Sequence, residues 1–155
     1  MLSKEEEEGV KARFENYIKK IINGSFLKGG IIDIDTGDLL CSSKDFNVCY
    51  VEYQEILNIL NGSALIGFLL NGDRYYVTTS DDIRIHGKTA LKSSGSTSTI
   101  NGLQSVIIRR TKEKCVIGVF NENLTQESAE KTIEEIIDDI TKLNKNENIS
   151  NLIEE

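Results

Sequence analysis

Few residues in this sequence combine the type and spacing that chemistry needs. His86 is the only histidine, which excludes a histidine-rich metal centre and any mechanism shared between two imidazoles. It stands between Ile85 and Gly87-Lys88, a setting that suits a hydrogen-bonded strand residue better than a catalyst. Asp33, Asp35 and Asp38 are spaced like a sparse calcium loop, but the interleaved Ile31, Ile32 and Ile34 and the missing downstream ligands read instead as a hairpin with solvated carboxylates. Cys41, Cys49 and Cys115 are odd in number, match no zinc spacing and adjoin apolar runs. They are expected as core fillers in a reducing compartment, not as nucleophiles or a disulfide framework. Gly29-Gly30 precedes a strand pattern, and neither the Walker spacing nor a dinucleotide fingerprint occurs. No catalytic constellation, metal site or cofactor follows, so binding is the expected activity.

Charge narrows the class of partner. Arg109, Arg110, Lys112 and Lys114 cluster without interleaved aromatics, inside a chain of net charge −7, which argues against nucleic acid. The segment 67–120 is the clearly basic one, with eight basic residues against four acidic. Such a region in an acidic protein suits an acidic protein surface or phosphate-bearing lipid headgroups. The length of 155 residues excludes two full catalytic domains. The longest apolar run, Ala64–Leu70, is too short for a bilayer, and the opening MLSKEEEE is acidic where a secretory signal is basic. A cytoplasmic protein is expected.

The elements that must position these groups follow from periodicity. Val10, Phe14, Tyr17, Ile18, Ile21 and Ile22 share one helical face that ends at Asn23-Gly24, with Glu5–Glu8 before or in the first turn. Gly30–Asp35 and Asp38–Ser43 form a hairpin across Thr36-Gly37, and a short helix lies between Cys49 and Asn61. Ala64–Leu70 and Arg74–Thr79 flank Asn71-Gly72-Asp73, the strongest hairpin signal in the chain. Ile83–Lys88, a polar loop at Lys92–Thr99, and a pair Leu103–Arg110 and Lys114–Phe120 complete seven strands. The last helix starts at the N-cap Thr125 and carries Ala129, Ile133, Ile136, Ile137, Ile140 and Leu143, followed by a frayed polar tail. The order implies an α+β fold: one central antiparallel sheet with both terminal helices on one face, and the short helix and long loop on the other. The domain is expected over 10–143, between an acidic extension at 1–9 and a tail at 144–155.

Several strings in this layout resemble the profilin family. Phe14-Glu15-Asn16-Tyr17-Ile18 is similar to the family's opening aromatic motif, with Phe where Trp is usual. Ile32 through Ser42, with Phe46 downstream, resembles its first hairpin, and Leu69-Leu70-Asn71-Gly72-Asp73-Arg74-Tyr75 its central one. Ile85-His86-Gly87-Lys88 resembles an Ile-Arg-Gly-Lys run with His at the Arg position, and Cys115 through Glu122 the strand before the last helix. The composition, rich in Lys, Glu, Ile and Asn and free of Trp, is similar to archaeal (Asgard-type) members.

The resemblance implies an actin-monomer-binding protein that regulates filament assembly at the cytoskeleton, a monomer without catalytic activity. It implies an actin-facing surface with Arg74, His86, Lys88, Gln126, Glu127, Glu130 and Lys131, and more loosely Arg110 and Lys112. Phosphoinositide binding through Lys88, Arg109, Arg110 and Lys112 is a further implication. The family's polyproline groove is reduced here to Phe14, Tyr17, Leu39 and Ile140, with Leu40 also on the hairpin. Each missing aromatic anchor costs on the order of 1–2 kcal/mol, so proline-rich peptides are expected to bind weakly or not at all. The alternative from another class is a roadblock- or longin-like scaffold that dimerises or holds a small GTPase.

Overall fold

Alternation along the strands divides the core in two. The computed structural model describes residues 3–89 and 103–153, with side chains for all of these except 6, 7 and 143–153. Helix α1 (Lys4–Asn23) leads into β1 (Lys28–Asp33) and β2 (Leu39–Ser42), then α2 (Tyr50–Leu60). Strands β3 (Gly67–Leu70), β4 (Asp73–Ser80), β5 (Arg84–Lys88), β6 (Ser105–Arg110) and β7 (Lys114–Phe120) follow, and α3 (Gln126–Ile153) closes the fold. All seven strands form one antiparallel sheet in the order β2-β1-β7-β6-β5-β4-β3.

On one face, Tyr17, Ile18 and Ile21 of α1 and Ala129, Ile133, Ile136 and Ile140 of α3 bury Ile31, Ile107, Val116 and Phe120. On the other, Tyr53, Ile56, Ile59 and Leu60 of α2 pack on Ile32, Tyr75, Ile85, Val106, Ile108 and Ile117. The terminal helices thus share a face and α2 takes the other, as the element order implies. Gly118 makes room for this packing: a Cβ there would lie 2.5 Å from the Phe26 ring, which stands edge-on to Phe120. Cys115 is fully buried, and burial pushes its thiol up to about 12, so it stays a neutral core filler.

One turn ties the second layer together. Asn71 (φ +53°) and Gly72 (φ +81°) form the left-handed pair that an Asn-Gly hairpin favours. Beneath them lies the buried carboxylate of Glu52 on α2. Its Oε1 accepts hydrogen bonds from the backbone N–H of Asn71 (3.0 Å) and Cys49 (3.2 Å), and its Oε2 accepts one from Gly72 (2.9 Å). Asn71 also accepts from Asn47 N and donates to Asp45 O. One acidic side chain therefore ties the start of α2 to the β3–β4 hairpin.

Three expectations are corrected. Helix α3 does not end near Leu143 but runs to Ile153, because the polar stretch after Leu143 holds neither Gly nor Pro to stop it. Strand β3 starts at Gly67, not Ala64, which leaves Leu65 and Ile66 exposed ahead of the sheet. Leu39 faces the α2 core, away from Phe14, Tyr17 and Ile140. The cause is a register shift: Ile31 opposes Cys41 and Ile32 opposes Leu39, so one extra residue, Leu40, separates the two pairs. Such a bulge breaks the alternation that residues 39 and 41 would otherwise share. The polar loop at Lys92–Thr99 lies outside the described residues.

Candidate functional site

The sheet is wider than its helical cover. Helix α1 packs on β1 and β2 and α3 on β6 and β7, which leaves the same side of β3, β4 and the Lys88 end of β5 open. Because Phe68, Leu70 and Tyr75 point into the α2 core, their neighbours Leu69, Arg74 and Tyr76 turn outward. The register sets Arg74 opposite Leu69, Tyr76 opposite Lys88 and Lys88 opposite Ser105. Leu69 and Tyr76 are exposed on this side, whereas Ile66, exposed ahead of β3, accepts from Val77 N and so falls on the register that faces α2. The result is an apolar strip with Arg74 and Lys88 among it, and no described carboxylate pairs with either cation.

The start of α3 borders this strip and is fastened to the sheet through His86. The Gln126 amide donates to His86 Nδ1 (3.2 Å), and Thr79 Oγ1 lies 2.9 Å from the same nitrogen. With Nδ1 accepting, the ring proton sits on Nε2, 2.8 Å from Glu130 Oε1. That N–H is not aligned on the oxygen, so the two groups make a close polar contact without a hydrogen bond. One turn further, Glu134 Oε1 receives Arg109 Nε (2.7 Å) and Arg84 Nη2 (2.8 Å).

Burial pushes the Glu134 carboxyl up, but the hydrogen bonds and charges of Arg109 and Arg84 outweigh it and hold it below the usual carboxylate range. A depressed folded-state pKa contributes stability that is present above the unfolded value of about 4.3 and is lost as pH falls through the folded value. Thermal unfolding followed from pH 7 to pH 2 should therefore show Glu134→Gln less stable than wild type at neutral pH. The two curves should converge at the acid end.

The structure brings some expected site residues together and separates others. Arg74 and Lys88 share the open face, and Glu127 and Lys131 are exposed on the adjoining start of α3. His86, Gln126 and Glu130 form one cluster, but His86 is buried and works as a fastener between β5 and α3. Arg110 and Lys112 stand at the opposite end of the strands: Lys88 pairs with Ser105 while Arg84 pairs with Arg109, a span of roughly 13 Å. Arg109 and Arg110 point to opposite faces, Arg109 toward Glu134. Phe14 and Tyr17 meet edge-on at 6.2 Å, and Ile140 lies in the same cluster. Leu69 and Tyr76 were not among the expected site residues. Alternation around the Asn-Gly turn, with Tyr75 inward, was the available signal for both.

This helix–sheet architecture recurs in known proteins. A family model described as Profilin matches residues 12–145. The chain belongs to the profilin family. No curated protein sequence matches it. Among solved structures it is similar to profilin IB of Acanthamoeba castellanii, with 23% identity, a TM-score of 0.68, and coverage of 84% of this chain and 98% of that one. It is similar to LokiProfilin1, solved in complex with rabbit actin, with 16% identity, a TM-score of 0.65 and coverage of 85% and 96%. Mouse profilin IIa, solved with a double repeat from the FH1 domain of mDia1, gives 15% identity, a TM-score of 0.60 and coverage of 81% and 97%. Membership in the profilin family sets aside the roadblock- or longin-like scaffold. Among the described residues no helix is long and apolar enough to cross a membrane.

Proposed function

We propose that this profilin binds actin monomers through the open face of β3–β5 and the start of α3, and thereby regulates filament assembly in the cytoplasm. The observation that carries this reading is the uncovered strip itself: Leu69 and Tyr76 with Arg74 and Lys88 on one side of the sheet. A stable interface buries roughly 1,600 Å² and pairs an apolar centre with a polar rim, which this strip and helix start can supply. Its two cations, unpaired among the described residues, suit an acidic partner such as actin. LokiProfilin1 in its complex with rabbit actin supplies a structural precedent within the same fold. The protein acts as a monomer that covers one end of actin, and it needs no catalytic residue to do so. Increasing amounts added to assembling actin should lower the rate and extent of polymerisation; an unchanged time course with an actin it is able to bind would refute the regulatory role.

Polyproline binding is weak or absent in this reading. Phe14 and Tyr17 retain an aromatic edge, but Ile140 is aliphatic and Leu39 packs on the other side of the sheet. Stacking on a preformed proline helix needs a continuous aromatic platform. Titration with a proline-rich peptide should give millimolar affinity at best, and a low-micromolar value would overturn this expectation. Phosphoinositide binding has the least support. Arg109 is engaged by Glu134 and Arg110 by its neighbouring carbonyl, and the four basic residues Lys88, Arg109, Arg110 and Lys112 do not converge on one headgroup.

A further inference from the structure

At the other edge of the sheet, a groove of about 570 Å³ runs between the outer flank of α1 and strand β2 with the residues that follow it. Its floor is apolar: Ile18 and Ile22 from α1, and Leu27 from the turn before β1, line it together with Cys41. Ile22 and Leu27 are 40% and 44% exposed, so this face carries adjacent aliphatic side chains open to water. Nothing in the described fold covers them, and they stand apart from the strip on β3–β5 by the full width of the sheet.

The rim has its own chemistry. Lys19 lines the helix side and Lys44 the strand side, both exposed and neither in an ion pair among the described residues. The hydroxyl of Ser43 accepts from Gly29 N, and Ser42 and Ser43 both line the groove. Glu15 is the one carboxylate on the lining, at the end nearer the start of α1. The Cys41 thiol donates to Phe14 O, and burial pushes it up to about 12, so it adds no negative charge. A pocket of this size with an apolar floor and a few placed donors is the usual form of a recognition groove.

We propose that this groove binds a short peptide segment of a partner protein that carries two or more aliphatic side chains next to a carboxylate. The aliphatic groups cover Ile22 and Leu27, and the carboxylate meets Lys44, Lys19 and the serine hydroxyls. This chemistry differs from a proline-rich ligand, which offers neither a negative charge nor branched aliphatic knobs. Because groove and open strip lie at opposite edges of the sheet, both can be occupied at once.

The test is selection of a random 12-residue displayed peptide library on the full-length protein, followed by fluorescence-polarisation titration of the enriched peptides. Leu/Ile-rich sequences with Asp or Glu should emerge. Ile22→Asp should weaken them at least tenfold and Lys44→Glu several-fold. Both positions are exposed, so the variants keep the fold, and unchanged thermal melts verify this. Amide shifts on titration should map to 15–27 and 41–44. No enrichment, proline-rich or basic winners, or acidic peptides whose affinity is unaffected by Ile22→Asp would each overturn the proposal.

Discussion

Replacing Glu52 with alanine should lower the folding stability by about 3–5 kcal/mol, since each orphaned buried N–H costs about 1–3 kcal/mol and a bond to a charged acceptor is worth about 1.5–3. The carboxylate is buried and accepts from three backbone donors, those of Cys49, Asn71 and Gly72. Alanine removes every acceptor at once and offers water little room to replace them. Glu52→Gln keeps one carbonyl oxygen and should cost roughly half as much, because two of the three donors share Oε1. Denaturant unfolding monitored by circular dichroism measures both. The order wild type, Gln, Ala in midpoint is the expected result. Equal midpoints for wild type and alanine would mean that the hairpin holds itself through its own turn geometry. A loss here also reaches the proposed function, since the Asn71-Gly72 turn sets the register that turns Arg74 and Tyr76 outward.

The second large effect concerns the open strip. Tyr76 is an exposed aromatic of that strip, opposite Lys88, and hot spots of interfaces are enriched in aromatic groups that lose water on binding. Tyr76→Ala should therefore weaken actin-monomer binding about tenfold or more while leaving the melting temperature close to wild type. Reversing the charges at Arg74 and Lys88 should do the same by a different route. It replaces attraction with repulsion toward an acidic surface, so the loss should be larger at low salt and should fall mainly on the association rate. Calorimetry against rapid-mixing kinetics separates the two routes.

Much of the fold was legible because its signals were periodic. The stripe from Val10 to Ile22 and the one from Ala129 to Ile140 became the two helices that share a face, and Asn71-Gly72 became a left-handed turn. What the pattern missed has local physical causes. The extra residue at Leu40 reverses the side on which Leu39 falls, and a bulge has no hydrophobic signature of its own. Helix α3 continues past Leu143 on the strength of backbone hydrogen bonding, where apolar periodicity alone suggested an end.

The site was half legible for the same reason. Arg74 and Lys88 were expected and share the open face, but His86, read as partner-facing, is spent on Thr79, Gln126 and Glu130. The basic surplus of residues 67–120 is also partly internal, since Arg84 and Arg109 converge on Glu134 and Lys114 approaches Asp33. Pairings between residues 25 or 50 positions apart leave no trace in composition. The exposed Leu69 and Tyr76 were harder to assign because an apolar strand residue reads as core until the cover over each face is known.

The most direct test is the affinity of the purified protein for actin monomers, measured by calorimetry beside the Tyr76→Ala variant and the Arg74→Glu/Lys88→Glu double variant. Saturable one-to-one binding by wild type, weakened about tenfold or more by each variant with melting temperatures unchanged, is the predicted result. Binding of equal strength by all three proteins would contradict the assignment of the β3–β5 face, and no binding by the wild type to the actin of its own source would contradict the function itself.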